Sequence, residues 1–551
     1  MHHKPMLYVA CIVLAMDWWA WTSAELFTAI SDLEPLLETQ KKIIDDLNDY
    51  VQKEEKRLGV LKKQINAYNR EHEMAMADID NYLGNPINAF TLIKRLTTDF
   101  NFIQNRIKLG TAFVGNETSN IINVRYPTDE DLTGAAQALT RLQNTYQLDI
   151  KELAQGRLNG IIYSGVSQPA VSTPLTASDC YELGRILYNV KDYKNSLRWM
   201  EESLVKYKEE NEDYNFTEVD ILEYISYLFY LLDDGQKALE WTTKLFSIDP
   251  NHQRALSNIP FYLKSVAEKK ARLQNNNTEV MVEEETFLQK EKKVYEALCR
   301  GEMIVPSQIS RKLKCSYLTK NHPFLKLAPI KREQIYIAPD VFVYHGVMSD
   351  EEIKCIKDMA KPRFKRATVR SANGGVMSAD YRISKSAWLT DEESEVVARV
   401  SQRVADFTGL TMASAELLQV VNYGIGGHYD SHYDFTLKTD LPYESADGNR
   451  IATVLFYMSE VAQGGATVFT QLGLSVFPVK SSALVWLNLH PSGEGDLSTR
   501  HAACPVLRGS KWVSNKWIHE SGQEFLAPCN LEYQREEVMR KIIKAKPRAK
   551  E

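Results

Sequence analysis

The apolar pattern of this 551-residue chain changes from helical to strand-like spacing near residue 335. Before that point apolar residues recur three and four positions apart, which is typical of amphipathic helices. Beyond it, short runs such as Leu417 to Tyr423 and Ile451 to Met458 are separated by glycine-containing turns. A chain of this length is too long for one hydrophobic core. We therefore predict a multidomain α + β protein whose last two hundred or so residues form an all-β sandwich or barrel.

A heptad pattern marks the beginning of the helical half. Its apolar positions are interrupted only by Gln40 and Glu54, and polar residues on such a seam can fix its register. The pattern predicts a helical coiled-coil dimerisation segment within residues 25–165, although an amphipathic helix packed on its own domain remains an alternative. The seam consists of Leu33, Leu37, Ile44, Leu47, Val51, Leu58, Leu61, Ile65 and Tyr68.

Residues 166–270 contain a helical pair that occurs twice. A turn and small residues at Asp192 to Leu197 return at Asp234 to Leu239, and Asp249-Pro250 closes the second unit. This arrangement resembles tetratricopeptide repeats, two of which form a concave groove. The charged and polar stretch that follows, residues 271–335, predicts a linker.

The first 24 residues have the features of a secretory signal. His2, His3 and Lys4 precede an apolar run from Met6 to Met16, and small residues end the segment at Ala24. No later run reaches the roughly 18 apolar residues that a membrane helix needs, so we expect no membrane span. The tripeptides that begin at Asn116, Asn215 and Asn276 are candidate glycosylation sites for a lumenal protein.

Charge and cysteine content narrow the possible partners and the compartment. A formal net charge of −6 gives no basic field for a nucleic-acid partner. In an oxidising compartment, the near pairs Cys299/Cys315 and Cys504/Cys529 are the candidate disulfides. Cys180 and Cys355 have no assigned partner.

A set of metal-binding residue types lies in the β region. His432, Asp434 and His501 provide the two imidazoles and one carboxylate of a facial triad, which leaves open positions on a non-haem Fe(II) ion. Residues two apart on a strand point to one side, so His432 and Asp434 can reach one ion. His428 and Asp430 form a second such pair with the same strand parity, and spacing alone does not choose between the two pairs.

Lys511 follows a probable hairpin after His501. Along its strand Lys511, Val513, Asn515 and Trp517 share one face, so the lysine would lie among largely apolar neighbours and would require an anion. The alternative is a lysine at a strand edge in solvent.

Five segments of the β region resemble the alpha subunits of collagen prolyl 4-hydroxylases. The resemblance runs through nearly the whole chain and implies a double-stranded β-helix (jelly-roll) dioxygenase domain over residues 336–535, followed by a basic tail over 536–551. The segments are QVVNYGIGG from Gln419, GNRIAT from Gly448, GGATVF from Gly464, STRHAACP from Ser498 and KWVSNKW from Lys511.

The resemblance implies a procollagen-proline 4-dioxygenase activity on X-Pro-Gly sequences, which consumes O2 and 2-oxoglutarate and releases succinate and CO2. It assigns His432, Asp434 and His501 to Fe(II) and Lys511 to the C5 carboxylate of 2-oxoglutarate, with L-ascorbate as reductant. A hydroxylase of lysine or of non-collagen proline, and a non-enzymatic collagen-binding module, are the competing hypotheses.

The resemblance also implies a peptide site in the repeats. Flat phenol rings suit a polyproline II helix, and the alternative for the tyrosines is repeat core. Phe261 departs from the family, in which tyrosine is usual. The matching residues are Tyr188, Tyr224, Tyr227, Arg254 and Asn258.

Partners and location follow by the same resemblance. It implies the endoplasmic reticulum lumen and a tetramer of two alpha chains with two protein disulfide isomerase beta chains, in which the alpha chains pair through their N-terminal domains. It also matches Cys299 with Cys315 and Cys504 with Cys529.

Overall fold

The computed structural model describes residues 30–110, 128–158, 170–210, 212–275, 286–370, 376–378, 381–437, 447–529 and 546–547. The predicted signal segment, the candidate glycosylation sites Asn116 and Asn276, and most of the predicted basic tail lie outside these residues. Asn215 is exposed in the loop before a helix that begins at Glu218. None of the described helices is both long and apolar enough to cross a membrane.

Helices predominate before residue 300 and strands after it, in the order that the apolar spacing predicted, although the prediction placed the change near residue 335. The α-helices are α1 Ile30–Ala77, α2 Ile79–Leu83, α3 Pro86–Lys94, α4 Phe100–Gly110, α5 Asp129–Tyr146, α6 Ile150–Ala154, α7 Ala177–Asn189, α8 Tyr193–Glu209, α9 Glu218–Leu231, α10 Gly235–Ile248, α11 Gln253–Asn275, α12 Phe287–Cys299, α13 Ser307–Ser310, α14 Asp350–Ala360 and α15 Glu395–Thr408. The strands are β1 Arg157–Leu158, β2 Ala170–Val171, β3 Met303–Ile304, β4 Cys315–Leu318, β5 Ile330–Tyr336, β6 Val341–His345, β7 Lys365–Arg366, β8 Thr368–Arg370, β9 Val376–Ser378, β10 Arg382–Ile383, β11 Lys385–Leu389, β12 Leu418–Tyr423, β13 His428–His432, β14 Arg450–Tyr457, β15 Gln463–Gly464, β16 Thr467–Phe469, β17 Leu474–Val476, β18 Ala483–Leu487, β19 His501–Ala503, β20 Val506–Arg508, β21 Lys511–His519 and β22 Lys546–Pro547.

The chain divides into two compact units, the first of which comprises residues 1–77 with 99–124. In that unit α1 is one continuous helix through the predicted heptads. Several seam side chains are exposed, including Leu47 at 58% and Ile65 at 58%. An exposed apolar stripe is what a second helix would cover. The helix is therefore confirmed, and the coiled-coil dimer stays a prediction.

The second unit, residues 78–98 with 125–551, contains the repeats. Both α7 and α9 begin with a capping box, formed by Thr176 with Asp179 and by Thr217 with Asp220. The helices α7 and α8 pack closely because Gly184 has no side chain, and a Cβ atom there would lie 2.8 Å from Met200. The predicted tetratricopeptide-like helical pairs are confirmed.

The β region of the same unit is a sandwich of two antiparallel sheets. One has nine strands in the order β4-β5-β6-β18-β14-β21-β12-β11-β7, and the other has five in the order β10-β13-β19-β16-β17. Side chains such as Val421, Leu455 and Trp486 fill the space between the sheets. The amphipathic helices α14 and α15 cover the outer face of the larger sheet. The predicted jelly-roll architecture is confirmed.

The described residues of the predicted linker, 271–275 and 286–335, are largely structured. The helix α12 buries Glu291, Leu298 and Cys299 while its lysines Lys290, Lys292 and Lys293 are exposed, and β4 and β5 extend the nine-stranded sheet. The charged residues of this stretch therefore belong mainly to the solvent-exposed face of a helix, and they do not indicate an unstructured linker. The sheet begins before residue 336, the predicted start of the dioxygenase domain.

The two predicted disulfides are wrong in this structure, because Cys299 is bonded to Cys504. These cysteines are 205 residues apart in sequence, but the C-terminus of α12 and the end of β19 meet in one buried core. Cys315 and Cys529 are free and exposed, Cys180 is free and buried, and Cys355 is free and half-buried. Proximity along the chain misled the pairing because it ignores which elements pack together.

Candidate active site

Two neighbouring strands of the five-stranded sheet place the two histidines opposite each other. His432 on β13 pairs in register with His501 on β19, and their ring centroids are 4.4 Å apart. Asp434 lies two residues beyond the first histidine. Its Oδ1 is 3.6 Å from Nε2 of His432, and its Oδ2 is 3.7 Å from Nε2 of His501. The three side chains thus direct their ligand atoms toward one point.

A β-bulge decides between the two histidine and aspartate pairs. The register of β13 against β19 shifts between Tyr429 and His432. As a result Tyr429 and His432 face the cavity between the sheets, whereas His428 and Asp430 line a different cleft. Strict alternation along β13 would have put His428 and His432 on the same side of the strand. The sequence alone therefore could not decide which of the two binds the metal.

The two imidazoles are oriented by backbone carbonyls. Nδ1 of His432 is 2.7 Å from the carbonyl oxygen of Asp430, and Nδ1 of His501 is 3.0 Å from that of Thr499. A neutral ring that donates Nδ1–H directs the Nε2 lone pair toward Asp434. Burial lowers the pKa of His501 to about 4, which keeps that ring neutral at physiological pH.

Asp434 is buried and its carboxylate is fixed by two donors. The Thr453 hydroxyl and the Trp517 indole N–H both donate to Oδ2, at 2.8 and 2.9 Å. Burial by itself raises the pKa of Asp434, but the nearby His501 and His432 outweigh burial and hold that pKa well below its ordinary value. Sequence reasoning missed Thr453 as a support. Trp517 was on the predicted inward face, but nothing in the sequence indicated its hydrogen bond.

The donor set fits Fe(II). Two neutral imidazoles and one carboxylate on one side of an octahedron are the ligands of non-haem Fe(II) oxygenases, and they leave positions for a bidentate ligand and O2. Ligand atoms at right angles around one ion, each about 2.1 Å from it, lie roughly 3 Å apart, and the ligand atoms of this site all lie within 4.8 Å of one another. Among the described residues, this is the group of histidine, cysteine and acidic side chains able to hold a metal ion.

Lys511 is buried in the same cavity. It is 2% exposed, and its ammonium lies 5.4 Å from the ring of Tyr423 and 5.8 Å from that of Tyr457. Within the described part of the chain it has no carboxylate partner, and the Thr467 hydroxyl is 3.5 Å away. Burial lowers the pKa of Lys511 to about 7. Such a cation requires an anion, and the distal carboxylate of a dicarboxylic keto acid meets this requirement.

The alternation of side chains along β21 correctly predicted which residues face the cavity. Lys511, Val513, Asn515 and Trp517 all line the cavity with the metal-binding residues. The alternative of a solvent-exposed lysine at a strand edge is therefore wrong. Arg382, Tyr423 and Thr467 also line the cavity and were not predicted.

The repeats bring the predicted peptide-binding tyrosines together in what we call the aromatic groove. Tyr188 contacts Tyr224 edge-on at 5.2 Å and Tyr227 at 6.4 Å between ring centroids. Phe261 continues the groove edge-on to Tyr230 at 5.5 Å. Arg254 is exposed and ion-paired with Glu223, and Asn258 is half-buried on α11. The rings are only partly covered by the repeat core, and Tyr227 is 38% exposed.

Family models match three parts of the chain. The prolyl 4-hydroxylase alpha-subunit N-terminal region matches residues 29–160, the prolyl 4-hydroxylase peptide-substrate-binding domain matches 177–268, and the 2OG-Fe(II) oxygenase superfamily matches 418–519. These matches cover the first helices, the repeats and the strands that carry the metal-binding residues.

Curated relatives match almost end to end. Prolyl 4-hydroxylase subunit alpha-2 of Caenorhabditis elegans is 45% identical over 528 residues, covering 94% of this chain and 95% of the relative. The alpha-2 subunit of Gallus gallus is 42% identical, covering 96% of this chain and 99% of its own. The alpha-1 subunit of Homo sapiens is 43% identical, covering 92% and 95%.

Proposed function

The chain belongs to the prolyl 4-hydroxylase alpha-subunit family, and on that premise we propose that it hydroxylates C4 of proline in X-Pro-Gly sequences of collagen-type peptides. It is an Fe(II)- and 2-oxoglutarate-dependent dioxygenase that releases succinate and CO2. The observation that carries the proposal is that His432, Asp434, His501 and Lys511 line one buried cavity. L-Ascorbate serves as reductant for the iron.

Bound Fe(II) supplies the oxidising chemistry with O2 and 2-oxoglutarate. The protein holds the metal through Nε2 of the two histidines and the Asp434 carboxylate. Lys511 holds the far carboxylate of the keto acid, which fixes the direction in which its other end points. Leu455, Trp486 and Val513 form apolar walls that keep water from the reacting atoms.

The acceptor can be tested directly. We expect succinate release to be stimulated by proline-glycine repeat peptides and not by lysine-containing peptides of equal length. Stimulation by lysine peptides alone would favour the lysine hydroxylase alternative. Absence of succinate release with every peptide would favour a non-enzymatic collagen-binding module.

The aromatic groove is the proposed peptide site outside the catalytic cavity. Partly exposed rings of Tyr188, Tyr224 and Tyr227 offer flat surfaces to the proline faces of a polyproline II helix. Because prolines leave backbone carbonyls free, Arg254 and Asn258 on the adjacent α11 are suitable donors.

Restoring the hydroxyl at position 261 is expected to strengthen peptide binding. Phe261 is 51% exposed on the groove, so the added hydroxyl of Phe261→Tyr can reach a peptide carbonyl. One such hydrogen bond lowers the Kd for a proline-rich peptide by roughly two- to tenfold in a titration. Phe324→Tyr, at a similarly exposed phenylalanine of the β region, is the control. A Kd unchanged in Phe261→Tyr would show that the peptide does not contact this position.

The affinity for 2-oxoglutarate is expected to fall as the pH rises above 7. Only the protonated form of Lys511 pairs with a carboxylate, and burial places the pKa of Lys511 at about 7 before the anion binds. Affinity is therefore flat below about pH 6, falls about twofold between pH 6 and pH 7 and falls roughly fivefold more between pH 7 and pH 8, because binding must then take up a proton. Titrations with a redox-inert divalent metal bound would measure this, and a flat profile to pH 9 would contradict it.

We further propose that the chain works in the endoplasmic reticulum lumen, with residues 1–24 as its signal and Asn116, Asn215 and Asn276 as glycosylation sites. The exposed stripe of α1 supports pairing of two alpha chains through the N-terminal domain. The proposed assembly is a tetramer with two protein disulfide isomerase beta subunits. Co-purification from secretory cells tests it, and an active, soluble alpha chain without that partner would count against it.

A further inference from the structure

The helix α12, which has no part in the proposed function so far, packs on the face of the five-stranded sheet that points away from the larger sheet. It falls outside the segments that the three family models match. Its Leu298 and Cys299 share a buried core with Val468 of β16 and Ala502 of β19. The strand β19 also carries the metal-binding His501. The helix therefore lies directly behind the strand that positions one of the ligands.

The first half of α12 is bonded to the residue that precedes His501. The Glu291 carboxylate accepts two N–H groups of the Arg500 guanidinium, with Oε1 2.6 Å from Nε and Oε2 3.2 Å from Nη2. The Thr470 hydroxyl donates to the same carboxylate at 2.9 Å, and the Thr470 backbone N–H donates to the Arg500 carbonyl at 3.2 Å. The Glu291 side chain is only 7% exposed, so the pair forms largely away from water. Forked pairs of this kind fix orientation as well as distance.

The end of α12 is bonded to the other end of the same strand. Its last residue, Cys299, forms a disulfide with Cys504, which directly follows β19. From Glu291 to Cys299 the helix rises about 12 Å. From Arg500 to Cys504 an extended chain spans about 13 Å. Because these two spacings agree, both bonds form while the helix lies along the strand, and α12 holds the segment of His501 at both ends.

Arg500 also reaches the segment that carries the other two ligands. Its guanidinium carbon lies 5.2 Å from the centroid of the Tyr433 ring. Tyr433 stands between His432 and Asp434 in the sequence. A guanidinium is attracted to the face of an aromatic ring, so this contact draws the two segments together. One arginine therefore links the segments of all three metal ligands, and Glu291 fixes the direction of that arginine.

We propose that Glu291 and Arg500 are positioning residues for the metal site, and that they hold the two ligand-bearing segments at the spacing that an Fe(II) ion needs. This inference rests on the proposed function, because it concerns the metal of that function. Neither residue lines the metal-binding cavity, so both act through the backbone of the ligands. The competing interpretation is that the pair stabilises only the fold. Its loss would then lower stability and leave metal binding unchanged.

The test measures Co(II) binding by the full chain, together with any subunit that co-purifies. Glu291→Gln keeps the size of the side chain and removes its charge. We expect this variant to bind Co(II) roughly tenfold more weakly and to change the visible absorption of bound Co(II), which reports the number and geometry of its ligands. Arg500→Leu should have the same effect, and the double variant should be no worse than either single variant, because all three lack one interaction. Arg500→Lys, which keeps the charge without the fork, should be intermediate.

Glu352→Gln is the matched control, because Glu352 of α14 accepts two N–H groups from Arg403 of α15 at 2.9 Å each, on the outer face of the larger sheet. It should lower the melting temperature of the metal-free chain, as Glu291→Gln does, and leave the affinity and absorption of Co(II) unchanged. Wild-type Co(II) affinity and absorption in Glu291→Gln and Arg500→Lys, or an equal loss of affinity in Glu352→Gln, would overturn the positioning role. A wild-type chain that binds neither Co(II) nor Fe(II) would instead remove the proposed function, and this inference with it.

Discussion

Asp434→Ala is expected to lower turnover of a proline-glycine repeat peptide by at least about a thousandfold. Changing a residue that only supports a metal ligand typically lowers activity or metal affinity 10- to 100-fold. Asp434 lies between both histidines as a ligand itself, so we expect a larger loss. The variant should also lose the rise in melting temperature that Fe(II) with 2-oxoglutarate gives the wild type, because only binding to the folded state produces that rise.

The neighbouring pair provides a matched control for metal binding. His428→Gln and Asp430→Asn alter the same residue types on the same strand, but the β-bulge turns both away from the cavity. Each should retain the metal-dependent rise in melting temperature. If His428→Gln loses that rise while His432→Gln retains it, the metal is held by the other pair and the assignment is wrong.

Lys511→Met is expected to weaken 2-oxoglutarate binding by about 100- to 1000-fold. Removing one partner of a buried, hydrogen-bonded charge pair costs roughly 2–5 kcal/mol, or about 30- to 5000-fold in affinity, and the expected loss lies in the middle of this range. The ligand-free variant should lose no stability at pH 7, because burial of the unpaired ammonium is itself unfavourable. The affinity is measured by titration with a redox-inert divalent metal in place.

Lys516→Met is the matched control, since it removes a second buried lysine from the same strand. Lys516 is 4% exposed and lies 3.9 Å from Asp391, away from the cavity. Its replacement should leave the affinity for 2-oxoglutarate unchanged. Equal losses in the two variants would mean that the strand, and not the Lys511 ammonium, determines binding.

Much of the site could be predicted from local sequence rules. Spacing and residue type identified His432, Asp434 and His501 as a possible facial triad, and strand alternation put Lys511 on the same face as Trp517. These inferences worked because each depends on residues close together on one strand, or on a resemblance that spans the chain. The choice of His432 over His428 depended on a bulge, and a bulge leaves no mark in the apolar pattern.

Features that depend on packing between distant segments could not be predicted. Cys299 and Cys504 meet because α12 lies against the smaller sheet, which no spacing rule conveys. The support of Asp434 by Thr453 requires β14 of the nine-stranded sheet to face the metal-binding strands of the five-stranded sheet, which is again a matter of tertiary packing. The charged residues of α12 led to the prediction of a linker, although this helix buries one face and exposes the other.

Mass spectrometry of a proline-glycine repeat peptide, incubated with the full chain, Fe(II), 2-oxoglutarate and O2, tests the central claim most directly. We predict one added oxygen atom on proline residues that precede glycine, located at C4 of the ring, with succinate formed in equal amount. A peptide that remains unmodified while bound Fe(II) and 2-oxoglutarate stabilise the fold would contradict prolyl 4-hydroxylation by this chain.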